Sequence, residues 1–243
     1  MALVLFLELG RKWGRARMAV DAKGARAGVG GVEAAIYGLF GLLLAFSFSG
    51  AAGRFDQRRH LIVEEANDLG TAYLRLDLLP APFQEQIRPL FRAYLNKRLE
   101  VYQHVEEFPV AHRLFLEAEA IGGQIWRLAV VGCRQEEKPS CSMLLLSALN
   151  ATLDIANTRL MATQEHPPAI IFWMLIFLGL VCCLMAGFAM AEATQRNMLY
   201  SLGFALIIAV TCYLILDLEY PRLGFMKVES YDEALRRVLE GMR

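Results

Sequence analysis

An apolar helical segment runs without a break into a charged one between residues 41 and 80, GLLLAFSFSGAAGRFDQRRHLIVEEANDLGTAYLRLDLLP. Gly53 is the only residue between the two parts that weakens a helix, and Pro80 with Pro82 is the first firm stop. One continuous helix is therefore predicted to leave the lipid and to continue into water. A chain with this feature is a membrane protein with an attached helical domain.

Composition agrees with a membrane protein and predicts three spans. Of 243 residues, 56% are hydrophobic, and the mean hydropathy is +0.37, which is high for a soluble domain. Three apolar runs approach the roughly 20 residues that a helix needs to cross a hydrocarbon core of about 30 Å. They are residues 29–52, 169–191 and 198–216. The formal net charge is +0, which indicates no polyanionic partner.

The N-terminal segment is apolar but too short to cross a membrane. The run ALVLFLEL stops at Gly10 and is followed by Arg11, Lys12, Arg15 and Arg17. Because a signal peptide has its positive charges before the apolar region, this segment does not fit one. We interpret it as the end of a further span, a remnant of a fourth, whose start lies upstream or which forms only a half-anchor.

Four amphipathic helices are predicted between the first and second full spans. Apolar residues recur at helical spacing along residues 55–76, 83–105, 114–128 and 146–160, with prolines between the stretches. Short connections between such helices favour an antiparallel bundle. The expected fold is an all-α integral membrane protein with the bundle inserted between the spans.

Five segments follow from this pattern. They are a short apolar segment with a basic linker (1–28), a transmembrane helix (29–53), the extramembrane bundle (54–167), a transmembrane hairpin (168–216) and a C-terminal tail (217–243). The tail is expected to contain a short amphipathic helix through Leu239, which docks on the bundle or on the membrane surface. The protein is expected in the inner cell membrane as a multi-pass protein, in contact with the lipid bilayer.

Small residues recur at every fourth position in the first span, and similar stripes occur in the other two spans. Such a stripe lets another backbone approach closely. The stripes either pack helices of one protomer or, in the first span, line a narrow apolar constriction beside two phenylalanines. The candidate residues for helix contact or constriction are Gly41, Ala45, Phe46, Phe48, Ser49 and Gly53.

Two rows of polar residues lie on the first and last bundle helices, next to the apolar stripes. Carboxylates and amides at these positions would attract cations, whereas an anion path should use Arg58, Arg59 or Arg159 instead. The alternatives are a hydrogen-bonded network that fixes helix register, or simple exposure to solvent. The candidate residues are His60, Glu64, Asn67 and Thr71 in the first row and Asn150, Asp154 and Asn157 in the second.

Motifs for catalysis or cofactor binding are not found in the sequence. The four histidines are scattered, and HVEEFPVAH is not a recognised ligand spacing for zinc. We predict no metal site, no cofactor, no nucleic-acid partner and no enzymatic activity.

Several motifs in a fixed order resemble the bestrophin-like domain family of multi-pass, mostly bacterial membrane proteins. They are GLLLAFSFS, RFDQRR, EEANDLGTAYLR before LLP, LNATLD, HPP before a span, and LDLEYPRLG. The resemblance extends from about Gly31 to Gly224, and the N-terminus departs from it, since the family usually has a complete span there. A distant resemblance to bestrophin anion channels implies a homo-oligomer, by analogy a pentamer, with an ion pore on its axis. The alternative is a non-conducting scaffold or sensor whose bundle binds a partner protein.

The side of the membrane on which the bundle lies is contested. Six basic residues before the first full span indicate a cytoplasmic start and an outside bundle. Cys133 and Cys141 flank a polar loop that a disulfide could close, and such bonds persist in oxidising compartments. Against this, bestrophins keep their helical domain in the cytosol. We expect the bundle outside.

Overall fold

The computed structural model describes residues 1–21, 29–104, 107–136, 139–192, 198–220 and 229–242. Helices dominate this part of the chain and no strand occurs in it, so the all-α prediction is confirmed. The chain forms two compact units. The membrane unit consists of Met1–Arg54 and His166–Tyr220, and the bundle unit consists of Phe55–Glu165 and Pro221–Arg243.

Nine α-helices are described in these ranges. They are α1 (Ala2–Val20), α2 (Val29–Arg75), α3 (Ala81–Gln103), α4 (Phe108–Glu136), α5 (Pro139–Cys141), α6 (Ser147–Gln164), α7 (Ala169–Ala189), α8 (Met198–Glu219) and α9 (Glu229–Gly241). A π-helical turn, Ser142–Leu146, joins α5 to α6. Gly53 does not interrupt α2, which continues to Arg75 as the sequence predicted.

Three segments are long and apolar enough to cross a membrane within the part of the chain that the structure describes. They are Gly30–Leu78, Pro139–Glu192 and Met198–Glu219, and they overlap the three predicted runs. The 21 residues of α7 extend about 31 Å at 1.5 Å per residue, close to the thickness of a hydrocarbon core. The prediction of three full spans is confirmed.

The N-terminal apolar segment belongs to a longer helix than its hydropathy indicates. α1 continues for ten residues past Gly10 because its two sides differ. Leu7, Gly10 and Gly14 are buried on one side, whereas Lys12 and Arg15 are exposed on the other. A helix with this division can keep its basic side in polar surroundings while its small side packs on protein.

Glycines bring α1 and α7 into backbone contact. A Cβ atom on Gly10 would collide with the carbonyl oxygen of Leu184, and one on Gly187 would collide with that of Leu7. Only glycine permits so close an approach. The contacts move towards the C-terminus on both helices, with Gly14 against Ala191, so α1 and α7 are parallel.

α7 also packs against α2 and α8. The Tyr37 hydroxyl donates a hydrogen bond to the carbonyl oxygen of Cys182, with 3.3 Å between the oxygens. Three residues further along α2, Phe40 contacts Gly179, which also touches Ile208 of α8. Because the partner number falls as the α2 number rises, α2 and α7 are antiparallel.

The bundle unit has one large apolar core shared by α2, α3, α4, α6 and α9. Leu69, Ile87, Phe91 and Leu145 are almost completely buried in it. A 3₁₀ turn after α2 and Pro80 at the start of α3 reverse the chain at the predicted proline corner. Leu235 of α9 is also completely buried in this core, so the C-terminal helix docks on the bundle.

Candidate functional site

The predicted constriction residues of α2 lie on its surface in the membrane unit. Gly41 and Gly53 have no atom within 4 Å of the position that a Cβ would take. The large rings beside them are equally uncovered, with Phe46 69% and Phe48 44% exposed. Ala45 and Ser49 are exposed as well. This stripe is therefore largely exposed along the described residues of the membrane unit.

The predicted polar row of α2 is exposed in the bundle unit. His60, Glu64, Asn67 and Thr71 all point away from the core, because the positions between them supply its buried side chains. We name as the open face of α2 the residues Gly41, Ala45, Ser49, Gly53, His60, Glu64, Asn67 and Thr71. The open face changes from small to polar residues along one helix.

The second predicted row, on α6, is exposed too. The Asn150 side-chain amide donates to Asp154 at 2.7 Å, one helical turn away, and Asn157 lies on the same exposed side. Among the described residues we find no hydrogen bond from this row to the row on α2. The structure therefore places all seven polar residues in solvent, where carboxylates keep their hydration.

A buried ion cluster that sequence reasoning missed lies between α2, α3 and α6. Glu65 is completely buried, and Arg98 Nε donates to its Oε1 at 2.7 Å. Arg159, 4% exposed, donates to the other carboxylate oxygen. The hydroxyl of Tyr102 lies 3.4 Å from the same oxygen, and the guanidinium of Arg159 stacks over its ring.

The electrostatics of this cluster keep Glu65 ionised. Burial would raise the pKa of its carboxyl group, but the charges and hydrogen bonds of Arg98 and Arg159 outweigh burial and lower the pKa. Removing one member of such a cluster leaves an uncompensated buried charge. The cluster therefore locks three bundle helices together.

One sequence signal could have found this cluster. Glu65, Arg98 and Arg159 each occupy a position at helical spacing from the apolar residues of its own helix, where a charge must be paired if it is buried. The polar rows are regular and exposed, whereas the isolated charges within the apolar stripes are buried.

A second ion cluster lies inside the membrane unit, at the three points where the chain passes to the bundle unit. Arg54 binds Glu219 through two nitrogens, with Nη2 2.6 Å from Oε2. His166 Nδ1 lies 3.0 Å from Oε1 of the same completely buried carboxylate. The His166 ring stacks on Tyr220, with 4.6 Å between centroids. His166 of the HPP motif thus meets Glu219 and Tyr220 of the LDLEYPRLG motif at one site.

Cys133 and Cys141, which the sequence offered as a possible pair, are joined by a disulfide. Cys133 lies in the last turn of α4 and Cys141 ends α5, so the bond closes the connection between the helices. Both sulfur-bearing residues are buried in the bundle core. The remaining cysteines, Cys182, Cys183 and Cys212, are free and belong to α7 and α8.

Groups of three or more His, Cys, Asp or Glu side chains that could hold a metal ion are not found among the described residues. The charged groups that the structure brings together are ion pairs, which position helices. The open face of α2 and the row on α6 are exposed to a solute or to another protein.

The architecture defines a class: an α-helical membrane protein in which a bundle interrupts the series of spans. The family model of the Bestrophin-like domain matches residues 4–231, nearly the whole chain. The protein therefore belongs to the bestrophin-like domain family, as its motifs indicated. No curated protein matches the sequence.

Solved structures of a bacterial bestrophin homolog from Klebsiella pneumoniae share the fold. One, phased by Zn-SAD, is 16% identical with a TM-score of 0.69 and covers 99% of this chain and 97% of that chain. A point variant of the homolog is 14% identical with a TM-score of 0.70 over the same shares of the two chains. At these identities the likeness shows the fold alone.

Proposed function

We propose that the protein is the protomer of an oligomeric ion channel whose path is lined by the open face of α2. The observation that supports this most is the open face itself, which is small in the membrane unit and polar in the bundle unit. Copies arranged around an axis would enclose such a face and give it the contacts that one protomer lacks.

Family membership supports the same proposal. The resemblance to bestrophins implies a ring, by analogy a pentamer, with the pore on its symmetry axis. In such a ring the uncovered Phe46 and Phe48 would narrow the apolar part of the path, where a constriction can gate by losing its water. The protein would then be a multi-pass protein of the inner cell membrane.

Charge along the open face favours cations over anions. Glu64 and Asp154 are exposed carboxylates on the two polar rows. Of the three arginines named for an anion path, Arg59 pairs with the exposed Asp56 one turn earlier, at 3.0 Å. The other two are bound elsewhere: Arg58 donates to the carbonyl oxygens of Ala162 and Glu165 at 3.0 and 2.9 Å. Arg159 is engaged with Glu65. This preference differs from the anion selectivity that the resemblance implies.

The test combines size determination of the purified protein with recording in planar bilayers. We expect a ring with ion-selective current. Glu64→Gln with Asp154→Asn should move the reversal potential in a salt gradient away from the cation equilibrium potential. Glu119→Gln, which removes an exposed carboxylate from α4, is the matched control and should leave the reversal potential unchanged.

Two results would contradict the proposal. A monomer without conductance would remove the channel and leave the non-conducting scaffold or sensor whose bundle binds a partner protein. The second result is a conducting ring in which Glu119→Gln changes the ion selectivity as much as Glu64→Gln with Asp154→Asn does. The open face would then not line the ion path.

A further inference from the structure

The membrane unit has two distinguishable ends, and the chain passes to the bundle at only one of them. It leaves after Arg54, returns at His166 and leaves again after Tyr220. These residues meet in the ion cluster around Glu219, so the three passages share one end. We call it the passage end of the membrane unit.

The basic part of α1 lies at the other end. α1 is parallel to α7, and α7 runs away from His166 towards Glu192. Gly14 packs beside Phe188 and Ala191, so the exposed Lys12, Arg15 and Arg17 lie near the last turn of α7. In the sequence, Lys23 and Arg26 lie between α1 and α2, and Arg196 lies between α7 and α8. Such a concentration of bases in short connections marks the cytoplasmic side.

The disulfide gives an independent argument about the passage end. Cys133 and Cys141 are bonded in the bundle unit, whereas the free cysteines all belong to α7 and α8. Glutathione and thioredoxin keep thiols reduced in the cytosol, and disulfides persist in oxidising compartments. A bonded pair in the bundle and a basic opposite end therefore indicate the same orientation.

We infer that Cys133 and Cys141 are a thiol oxidation site and that the bundle unit faces the oxidising side of the membrane. In forming the bond, the two thiols lose two protons and two electrons. The oxidant is a dithiol–disulfide exchange protein of that compartment, whose own disulfide is reduced to two thiols through a mixed disulfide. This orientation is the reverse of the one that the bestrophin resemblance implies.

Cysteine labelling in intact bacterial cells tests the orientation. Gln103→Cys introduces an exposed thiol at the end of α3, and Glu192→Cys introduces one just after α7. A membrane-impermeant maleimide should label the first in intact cells and the second only after permeabilisation. Labelling in the reverse order, or equal labelling of the two in intact cells, would overturn the inference. The protein without introduced cysteines gives the background.

A second measurement tests the covalent bond in the full-length protein. Free thiols are blocked in acid-quenched cells, disulfides are then reduced, and new thiols are counted with a maleimide that adds mass. Two new thiols are expected in cells with an intact thiol-oxidising system, and fewer in cells that lack it. Cys133→Ser should remove the signal. If Cys133 and Cys141 are reduced in the intact cells, the inference is overturned. This result does not depend on the oligomeric state or the conductance of the protein.

Discussion

Two helices of the membrane unit have stripes of small residues at the same spacing, and the structure uses them in opposite ways. In α7, Gly187 is pressed against the backbone of α1, and Cys183 is completely buried. In α2, Gly41 and Gly53 have nothing near them. The spacing alone therefore predicts close helix contact without identifying the partner. A protomer completes one contact and leaves the other to a second molecule or to lipid.

The largest effect on stability is expected at the glycine contact between α1 and α7, which one protomer already completes. Gly187→Leu would drive a side chain into the carbonyl of Leu7, and because the obstacle is backbone, no rotamer change relieves it. We expect a loss of at least about 4 kcal/mol in the free energy of unfolding. Gly203→Leu, at a glycine of α8 with open space, is the control, and thermal melts in detergent compare the two. Equal melting temperatures would refute the tight α1 contact.

The same contrast between covered and open positions occurs at neighbouring residues of α2. Glu65→Gln removes the charge that compensates Arg98 and Arg159, and we expect it to destabilise the bundle by about 3 kcal/mol. Glu64→Gln, on the open face, should change the free energy of unfolding by less than about 0.5 kcal/mol. Chemical denaturation of both variants measures the difference. Similar losses would mean that Glu65 is hydrated.

Acid should selectively remove the contribution of the buried Glu65 carboxylate to the stability of the bundle. Because the folded-state pKa of Glu65 is lowered, its contribution to stability is present above the unfolded-state pKa of about 4.3. It is lost as the pH falls below that value through the folded-state pKa. The melting temperature of the wild type should therefore decline in this range more steeply than that of Glu65→Gln. Parallel declines would assign the acid sensitivity to other groups.

The smallest effect on stability is expected on the open stripe of α2. Ser49→Leu enlarges an exposed position, so the protomer should melt within a few degrees of the wild type. Its conductance should fall, because Leu narrows the apolar part of the path that the stripe lines in the proposed ring. Recording in planar bilayers checks this, and native mass measurement in detergent shows whether the ring is kept. An unchanged conductance in an unchanged ring would show that the stripe faces lipid or another helix instead of the path.

Much of the fold could be predicted from the sequence because lipid restricts the length and polarity of the helices that cross it. Spans must be long and apolar, which made the three runs evident, and prolines marked the corners of the bundle. α1 was harder. Its apolar run ends at Gly10, and the contact of Gly10 and Gly14 with α7, which supports the helix beyond that point, could not be read from one segment.

Only part of the candidate site could be predicted from the sequence. Exposed polar rows follow from helical periodicity, so His60 and Glu64 could be placed on a surface in advance. The pairing of Glu65 with Arg98 and Arg159 depends on which helices are neighbours, and the residues are separated by 33 and 94 positions in the chain. Periodicity within one helix contains no information on such pairs.

The glycine contact between α1 and α7 also fixes when, during synthesis, α1 can be packed. Gly10 and Gly187 are about 177 residues apart in the chain, and ribosomes add about 5 to 20 residues per second. α1 therefore emerges roughly 10 to 35 s before the helix that covers its small side. The first helix to be made is among the last to be packed, so the membrane unit is completed only when synthesis is nearly over.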